Sequence, residues 1–153
     1  MFFEEELKKQ GNRKVRIYLD MDGTIAHYDV AKADNFHLKR PLFERIDKIK
    51  YINDNYDNVT FYVLSIGNED KHIDQKNQWL DEYLPFIKKE NRAILVRKKG
   101  SPITSADVKR DYINSVETDD TILLIDDDPR VIGAIIKDNK NNVIVYKDTV
   151  LSD

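Results

Sequence analysis

The segment VRIYLDMDGT, residues 15–24, decides the fold, because an apolar run leads directly into two aspartates, a glycine and a threonine. The run Val15–Leu19 is rich in β-branched and aromatic side chains, and it predicts a strand. Residues i and i+2 of an extended segment face the same way, so Asp20 and Asp22 are expected on one side of the chain just after the strand. Gly23 permits a backbone turn that a side chain would resist.

Outward from this segment, apolar runs alternate with helical patterns along the chain. Further strands are predicted at Val59–Ser65, Ala93–Val96, Thr121–Ile125 and Val143–Tyr146. Helices are predicted at Pro41–Tyr56, Asp70–Tyr83, Ser105–Val116 and Pro129–Asp138, with Pro41 in a first turn and Ser105 as an N-cap. This alternation is typical of an α/β protein with a parallel sheet that helices cover on both faces.

Polar residues follow three of these strands. Asp20 follows the first, Ser65 ends the second, and the acidic run from Asp126 to Asp128 follows the fourth. Each segment alone is explained by the turns and caps that such residues form. Ligands bind beyond the carboxyl ends of the strands in such sheets, so the segments are expected to meet. Converging carboxylates repel one another unless a cation intervenes, and an oxygen-rich site suits Mg²⁺.

The Asp-x-Asp spacing also has a chemical use. One of the two carboxylates can attack phosphorus and form an aspartyl-phosphate, while its neighbour donates a proton to the leaving oxygen. The hydroxyl of Thr24 can hydrogen-bond the second aspartate or the turn. The spacing is therefore compatible with phosphoryl transfer.

These motifs resemble those of the haloacid dehalogenase (HAD) superfamily. LDMDGT at 19–24 is similar to its first motif, VLSIGN places Ser65 at the second, and LLIDDD places Asp126 and Asp127 at the fourth. The resemblance implies a three-layer, Rossmann-like sandwich with a central parallel sheet. It also implies a Mg²⁺-dependent phosphatase. On this basis residues 1–153 are expected to form one HAD-like hydrolase domain.

The resemblance also implies roles for these residues. Asp20 would be the nucleophile and a Mg²⁺ ligand, and Asp22 would be general acid and then base, with its carbonyl on the metal. Ser65 would hydrogen-bond a phosphoryl oxygen. Asp126 and Asp127 would hold the metal, with Asp127 as the direct ligand and Asp126 as its support if the pair aligns with the Gly-Asp of other members.

The third motif of the superfamily is a lysine, and two positions fit it. Lys98 and Lys99 directly follow the third strand, whereas Lys109 lies on the next helix. Within the superfamily the chain looks most similar to the 5′(3′)-deoxyribonucleotidase group, on DMDGT, KNQWLDEYLP at 76–85, AILV at 93–96 and LLIDD. We favour Lys109, because its K-x-D-Y-I context is closer to that group.

The nucleotidase resemblance implies a (deoxy)nucleoside monophosphate as substrate, but one part of the pattern is missing. Only 40 residues separate Thr24 from Ser65, so residues 25–40 can form a small lid or an ordinary polar loop, and a full cap domain is excluded. Aromatic and basic side chains there could stack on a base or bind phosphate: His27, Tyr28, Phe36, His37 and Arg40. A reduced cap would also admit a nucleic-acid end or a phosphoprotein.

Composition excludes other classes of protein. The chain has no cysteine, so disulfides, thiolate chemistry and cysteine zinc sites are excluded, and a net charge of −3 gives no bulk signal for nucleic-acid binding. The absence of a secretory signal or a long apolar run favours a cytoplasmic protein away from membranes.

ILLIDDDPRVI, at 122–132, resembles a receiver domain, but too few residues follow it. The motif of P-loop kinases is absent. An inactive binding module remains an alternative.

Overall fold

A parallel sheet organises residues 2–152, the part of the chain that the computed structural model describes. Its strands are β1 Val15–Leu19, β2 Val59–Gly67, β3 Arg92–Val96, β4 Thr121–Asp126 and β5 Ile144–Lys147. They lie in the order β3-β2-β1-β4-β5, so the strand before Asp20 is central and is flanked by the strands that carry Ser65 and Asp126. The predicted α/β sandwich is confirmed.

The strand register brings the polar segments level with one another. Leu19 pairs with Ile125 on one side and with Val63 on the other. Asp20 and Asp126 are therefore the next residues of two paired strands, and Ser65 lies two residues beyond Val63. Because all three strands are parallel, these side chains share one edge of the sheet.

Helices cover both faces of the sheet, as a sheet buried on both sides requires. They are α1 Phe2–Gln10, α2 Phe43–Asn55, α3 Asp70–Tyr83, α4 Ser105–Ser115 and α5 Pro129–Lys137. One apolar cluster joins α1, α2 and α3 to one face of the sheet, and a second joins α4 and α5 to the other. Among residues 2–152, no helix is long and apolar enough to cross a membrane.

Helix α1 was not predicted from the sequence, because its residues are mostly charged. Phe3 and Leu7, one helical turn apart, are buried, and the Phe3 ring packs edge-on against Tyr146 with centroids 5.4 Å apart. The i, i+4 spacing of these two apolar residues is the sequence feature that could have indicated the helix.

One predicted helix start and one predicted N-cap are wrong, whereas the predicted start of α4 at Ser105 is confirmed. Helix α2 begins at Phe43, because Pro41 forms an antiparallel β-bridge with Ala26 and is therefore extended. Helix α4 is capped by Thr104, whose hydroxyl accepts a hydrogen bond from the Asp107 amide at 3.1 Å, so Ser105 is its first residue. Either hydroxyl satisfies the sequence pattern, and only the backbone geometry decides between them.

Candidate active site

Three carboxylates meet at the carboxyl edge of the central strands. Oxygen atoms of Asp20, Asp126 and Asp127 all lie within 4.8 Å of one another. Asp20 follows β1, Asp126 ends β4, and Asp127 is the next residue. Burial and the charge of Asp20 raise the pKa values of Asp126 and Asp127 above their ordinary range. A divalent cation would relieve this repulsion, and the all-oxygen donor set fits Mg²⁺.

A buried lysine lies among these carboxylates. The Lys109 ammonium donates to Asp20 at 2.8 Å and to Asp126 at 2.7 Å. Burial alone would lower the pKa of Lys109, but the two carboxylate charges hold it above its ordinary value. Lys98 and Lys99 instead line a different cleft, beside α3. The geometry therefore places Lys109, and not Lys98 or Lys99, among the carboxylates.

Asp126 and Asp127 differ in whether their carboxylate oxygens remain free to bind a ligand. One oxygen of Asp126 accepts from Lys109, and the other accepts from the Asp128 amide at 2.9 Å. Both carboxylate oxygens of Asp126 therefore already accept a hydrogen bond from the protein. Asp127 is half-buried, and its carboxylate faces Asp20. This arrangement favours Asp127 as the direct cation ligand and Asp126 as the support that holds Lys109.

Gly23 makes room for Asp127. Its φ is +77°, and a Cβ atom on it would lie 2.1 Å from an Asp127 carboxylate oxygen. Arg45 of α2 fixes this turn by donating to the carbonyls of Gly23 and Thr24, both at 3.1 Å. A glycine is therefore required at position 23, both for the positive φ and for the space that the Asp127 carboxylate occupies.

The hydroxyl of Thr24 does not make the predicted hydrogen bond to Asp22. Its buried hydroxyl donates to Asp20 at 3.2 Å and does not reach Asp22. Because Lys109 donates to the other oxygen of Asp20, the carboxylate is held from both sides. The turn at 21–26 places Thr24 beneath Asp20, since the amides of Thr24, Ile25 and Ala26 all point at the Met21 carbonyl.

Ser65 has a partner that sequence reasoning missed. The Lys76 ammonium, on α3, donates to the Ser65 hydroxyl at 2.6 Å and to the Ile66 carbonyl at 2.8 Å. Lys76 is buried without a hydrogen-bonded carboxylate among the described residues, and burial lowers its pKa to about 8. An ammonium held by two neutral oxygens is suited to bind an anion. Strand β2 also runs past Ser65 to Gly67, further than predicted.

Asp22 also has a missed partner. The buried Lys39 ammonium, from the segment before α2, contacts Oδ1 of the Asp22 carboxylate. Asp22 itself is about a third exposed. No sequence signal separates Lys39 from the other basic residues, whereas Lys76 lies at helical spacing from Ile73, Trp79 and Leu80 on the inward face of α3.

The segment between Ala26 and Pro41, called the lid below, is too short for a cap domain and lines a small cavity beside Asp22. It has only two short 3₁₀ turns, Val30–Lys32 and Phe36–Leu38. Of the five side chains named for it, Tyr28 lines the cleft around Asp20, and the buried Phe36 lines the small cavity next to that cleft. His27 and Arg40 line a different pocket, and Nδ1 of His37 is buried without a hydrogen-bond partner among residues 2–152.

The cleft around Asp20, the candidate catalytic cleft, has a volume of about 450 Å³ and is lined by the carboxylates, Ser65, Lys76 and Lys109. A smaller cavity of about 210 Å³ adjoins it under the lid and contains Lys39. Asp22 and Lys76 line both spaces. Asp22 therefore lies between the two spaces, and Lys39 reaches it from the smaller one.

A second acidic cluster, Asp34, Glu69 and His72, lies outside this cleft. Lys71 offsets part of its negative charge, at 3.5 Å from Asp34 and 3.2 Å from Glu69. Nδ1 of His72 accepts from the amides of Asn68 and Glu69, so its Nε2 donates to Asp34 at 3.1 Å. These contacts cap α3, and the charge of Lys71 disfavours a cation there.

No family model matches the sequence, and no curated protein matches it. Solved structures share the fold. A chain of the Pnkp1/Rnl/Hen1 complex, an RNA repair complex, superposes with a TM-score of 0.66 at 13% identity over 90% of this chain. Class C acid phosphatase from Bacillus anthracis, with tungstate bound, gives 0.59 at 18% identity over 95% of this chain and 71% of its own. This chain spans 46% of the Pnkp1-complex chain.

Proposed function

We propose that this chain is a Mg²⁺-dependent phosphomonoester hydrolase of the HAD superfamily that forms an aspartyl-phosphate on Asp20. The observation that carries the proposal is the environment of Asp20. Its carboxylate is held by Lys109 and Thr24 and lies within 4.8 Å of Asp126 and Asp127. The shared fold with a phosphatase that binds tungstate, a tetrahedral oxyanion like phosphate, supports the same chemistry.

The residues around the cleft divide into an anion-binding side and a cation-binding side. Ser65, Lys76 and Lys109 would bind the phosphoryl oxygens and neutralise their charge, which is the main task in phosphoryl transfer. Asp20, Asp127 and the Asp22 carbonyl would hold Mg²⁺, which supplies further positive charge to the phosphoryl group when bound.

The reaction would proceed in two displacements. An oxygen of Asp20 attacks phosphorus, the bond from phosphorus to the leaving oxygen breaks, and Asp22 gives that oxygen a proton. A water molecule then attacks the phosphorus of the aspartyl-phosphate and gives a proton to Asp22. The bond to Asp20 breaks, phosphate leaves, and both carboxyl groups return to their starting states.

For the substrate, we propose a (deoxy)nucleoside monophosphate. The lid supports this choice, because Tyr28 lines both spaces beside Asp22 and is 72% exposed, so a base could stack on its ring. The lid is small, so the cleft stays open at one side. That openness keeps the phosphorylated end of a nucleic acid as a second candidate, and the fold shared with a chain of an RNA repair complex favours it.

A phosphatase screen with Mg²⁺ tests the proposal. The panel would contain nucleoside monophosphates, sugar phosphates, phosphopeptides and phosphorylated oligonucleotide ends. We expect the highest kcat/KM on a nucleoside monophosphate, and no turnover when Mg²⁺ is chelated. Higher kcat/KM on oligonucleotide ends would favour the second candidate. Absence of activity on every class would favour a binding module without catalysis.

A further inference from the structure

Lys39 occupies an unusual position for a lysine. Its side chain is only 4% exposed, and its ammonium contacts Oδ1 of Asp22. Within residues 2–152, no other side chain or amide donates a hydrogen bond to the Asp22 carboxylate. Asp22 lines both the catalytic cleft and the small cavity, whereas Lys39 lines only the small cavity. Lys39 therefore holds one oxygen of Asp22 from the side away from the catalytic cleft, and leaves Oδ2 without a protein partner.

The position of Lys39 is itself fixed by the lid and by α3. Its carbonyl accepts a hydrogen bond from the Trp79 indole at 2.9 Å, and its ammonium lies 4.6 Å from the centroid of the Phe36 ring. Gln75 of α3 fastens the lid by accepting from the Phe36 amide at 3.1 Å and donating to the Asp34 carbonyl at 2.8 Å. The lid segment that carries Lys39 is therefore anchored to α3 at Lys39 itself and at Asp34 and Phe36, which fixes the ammonium beside Asp22.

A carboxylate that donates a proton must present one oxygen to the leaving oxygen within hydrogen-bond distance. Asp22 is about a third exposed and, among residues 2–152, accepts a side-chain hydrogen bond from Lys39 alone, so its side chain would be free to rotate without that contact. Fixing Oδ1 restricts that freedom and leaves Oδ2 as the oxygen available to the reacting group. Preorganisation of this kind matters because a displacement of about 1 Å can cost roughly 10²-fold in rate.

We infer that Lys39 is a positioning residue for the general acid: through Oδ1 of Asp22, the lid holds the proton-donating oxygen against the leaving group. The inference rests on the proposed function, because it assigns Asp22 the role of the acid. It gives the short lid a catalytic task in addition to enclosing the substrate. Lys39 acts through Asp22 and needs no contact with the substrate.

The test compares two substrates of similar shape whose leaving groups differ in their need for a proton. p-Nitrophenyl phosphate releases a stable phenolate, whereas phenyl phosphate depends more strongly on the general acid. The ratio of kcat/KM between them is measured for wild type, Lys39→Met, Asp22→Asn and the double variant. The ratio does not depend on the fraction of folded enzyme, so partial unfolding of a variant does not obscure the result.

Lys39→Met should lower kcat/KM for phenyl phosphate by about 10- to 100-fold, with a clearly smaller loss for p-nitrophenyl phosphate. In the Asp22→Asn background, adding Lys39→Met should leave the ratio unchanged, because the residue through which Lys39 acts is already disabled. Lys32→Met is the matched control. Lys32 lies on the same lid and pairs with Asp29, so its loss should leave the ratio at the wild-type value.

Equal losses on both substrates in Lys39→Met would overturn the inference, because they would indicate a general structural or phosphate-binding role. If Asp22→Asn shows the leaving-group dependence and Lys39→Met does not, the inference fails while the proposed function stands. If wild type hydrolyses no class of phosphomonoester with Mg²⁺, both fail together.

Discussion

The ammonium of Lys109 lies 2.8 Å from a carboxylate oxygen of Asp20, a residue 89 positions earlier in the chain. The same ammonium reaches Asp126, so one buried lysine joins the ends of β1 and β4 to helix α4. The contact neutralises part of the negative charge at the centre of the site. It also links the stability of the fold to the proposed catalytic residues.

Lys109→Met should destabilise the metal-free protein. Removal of the ammonium leaves two buried carboxylates uncompensated, and breaking a buried ion pair costs about 3–5 kcal/mol. Denaturant unfolding in EDTA measures the loss. Lys71→Met is the matched control, since its ammonium is half-exposed and should contribute little. Equal stability of Lys109→Met and wild type would contradict the buried triad.

Mg²⁺ should raise the melting temperature of the wild type, because a ligand that binds only the folded state stabilises it. At 100 times its dissociation constant the gain is about 2.7 kcal/mol, or roughly 5–10 °C for a chain of this size. Asp127→Asn should lose most of this shift while remaining folded. A full Mg²⁺ shift in Asp127→Asn would exclude Asp127 as a direct ligand.

Much of this site could be predicted from the sequence, because buried strands and the acids that follow them are local patterns. Asp20, Ser65 and Asp126 all lie at the expected edge of the sheet. Lys39 could not be predicted, because its burial depends on how the lid packs against the sheet. Helical spacing from Ile73 and Leu80 indicates that Lys76 faces inward, but its contact with Ser65 depends on where α3 lies against β2.

The N-terminal helix shows the same limit. Phe3 and Leu7 have helical spacing, but the surrounding charges hide a helix whose stability comes from packing against the sheet. The choice between Thr104 and Ser105 as N-cap depends on one backbone conformation, which no local pattern encodes.

Gly23→Ala should abolish the Mg²⁺-induced stabilisation, because the new Cβ would displace the Asp127 carboxylate. Gly100→Ala is the matched control. Its φ is +84°, yet a Cβ atom added there would meet no other atom within 4 Å. Both variants should lose about 1–2 kcal/mol to the left-handed backbone, but only Gly23→Ala should lose the thermal shift with Mg²⁺. A normal shift in Gly23→Ala would show that Asp127 can bind the cation from another position.

Lys76 should give the reaction a pH dependence. Its pKa is lowered to about 8, so the ammonium is present below that pH and is lost above it. The kcat/KM for phosphomonoesters should therefore fall as the pH rises through about 8. Lys76→Met should be about 10- to 100-fold less active at pH 7, since a charge-assisted hydrogen bond to phosphate is lost. It should also lack this decline. A decline that persists in Lys76→Met would assign the titration to another group.

The identity of the nucleophile is the central claim, and isolation of the phosphoenzyme tests it most directly. Wild type and Asp20→Asn are mixed with a ³²P-labelled phosphomonoester and Mg²⁺ and quenched in acid during turnover, and the labelled peptide is identified by mass spectrometry. The Asp22→Asn variant serves as a second source of the intermediate, because loss of the base should slow its hydrolysis. We expect label on Asp20 in wild type and in Asp22→Asn, and no label and no turnover in Asp20→Asn. Turnover by Asp20→Asn at the wild-type rate without a labelled protein would contradict the claim, since an activated water molecule would then have to be the nucleophile.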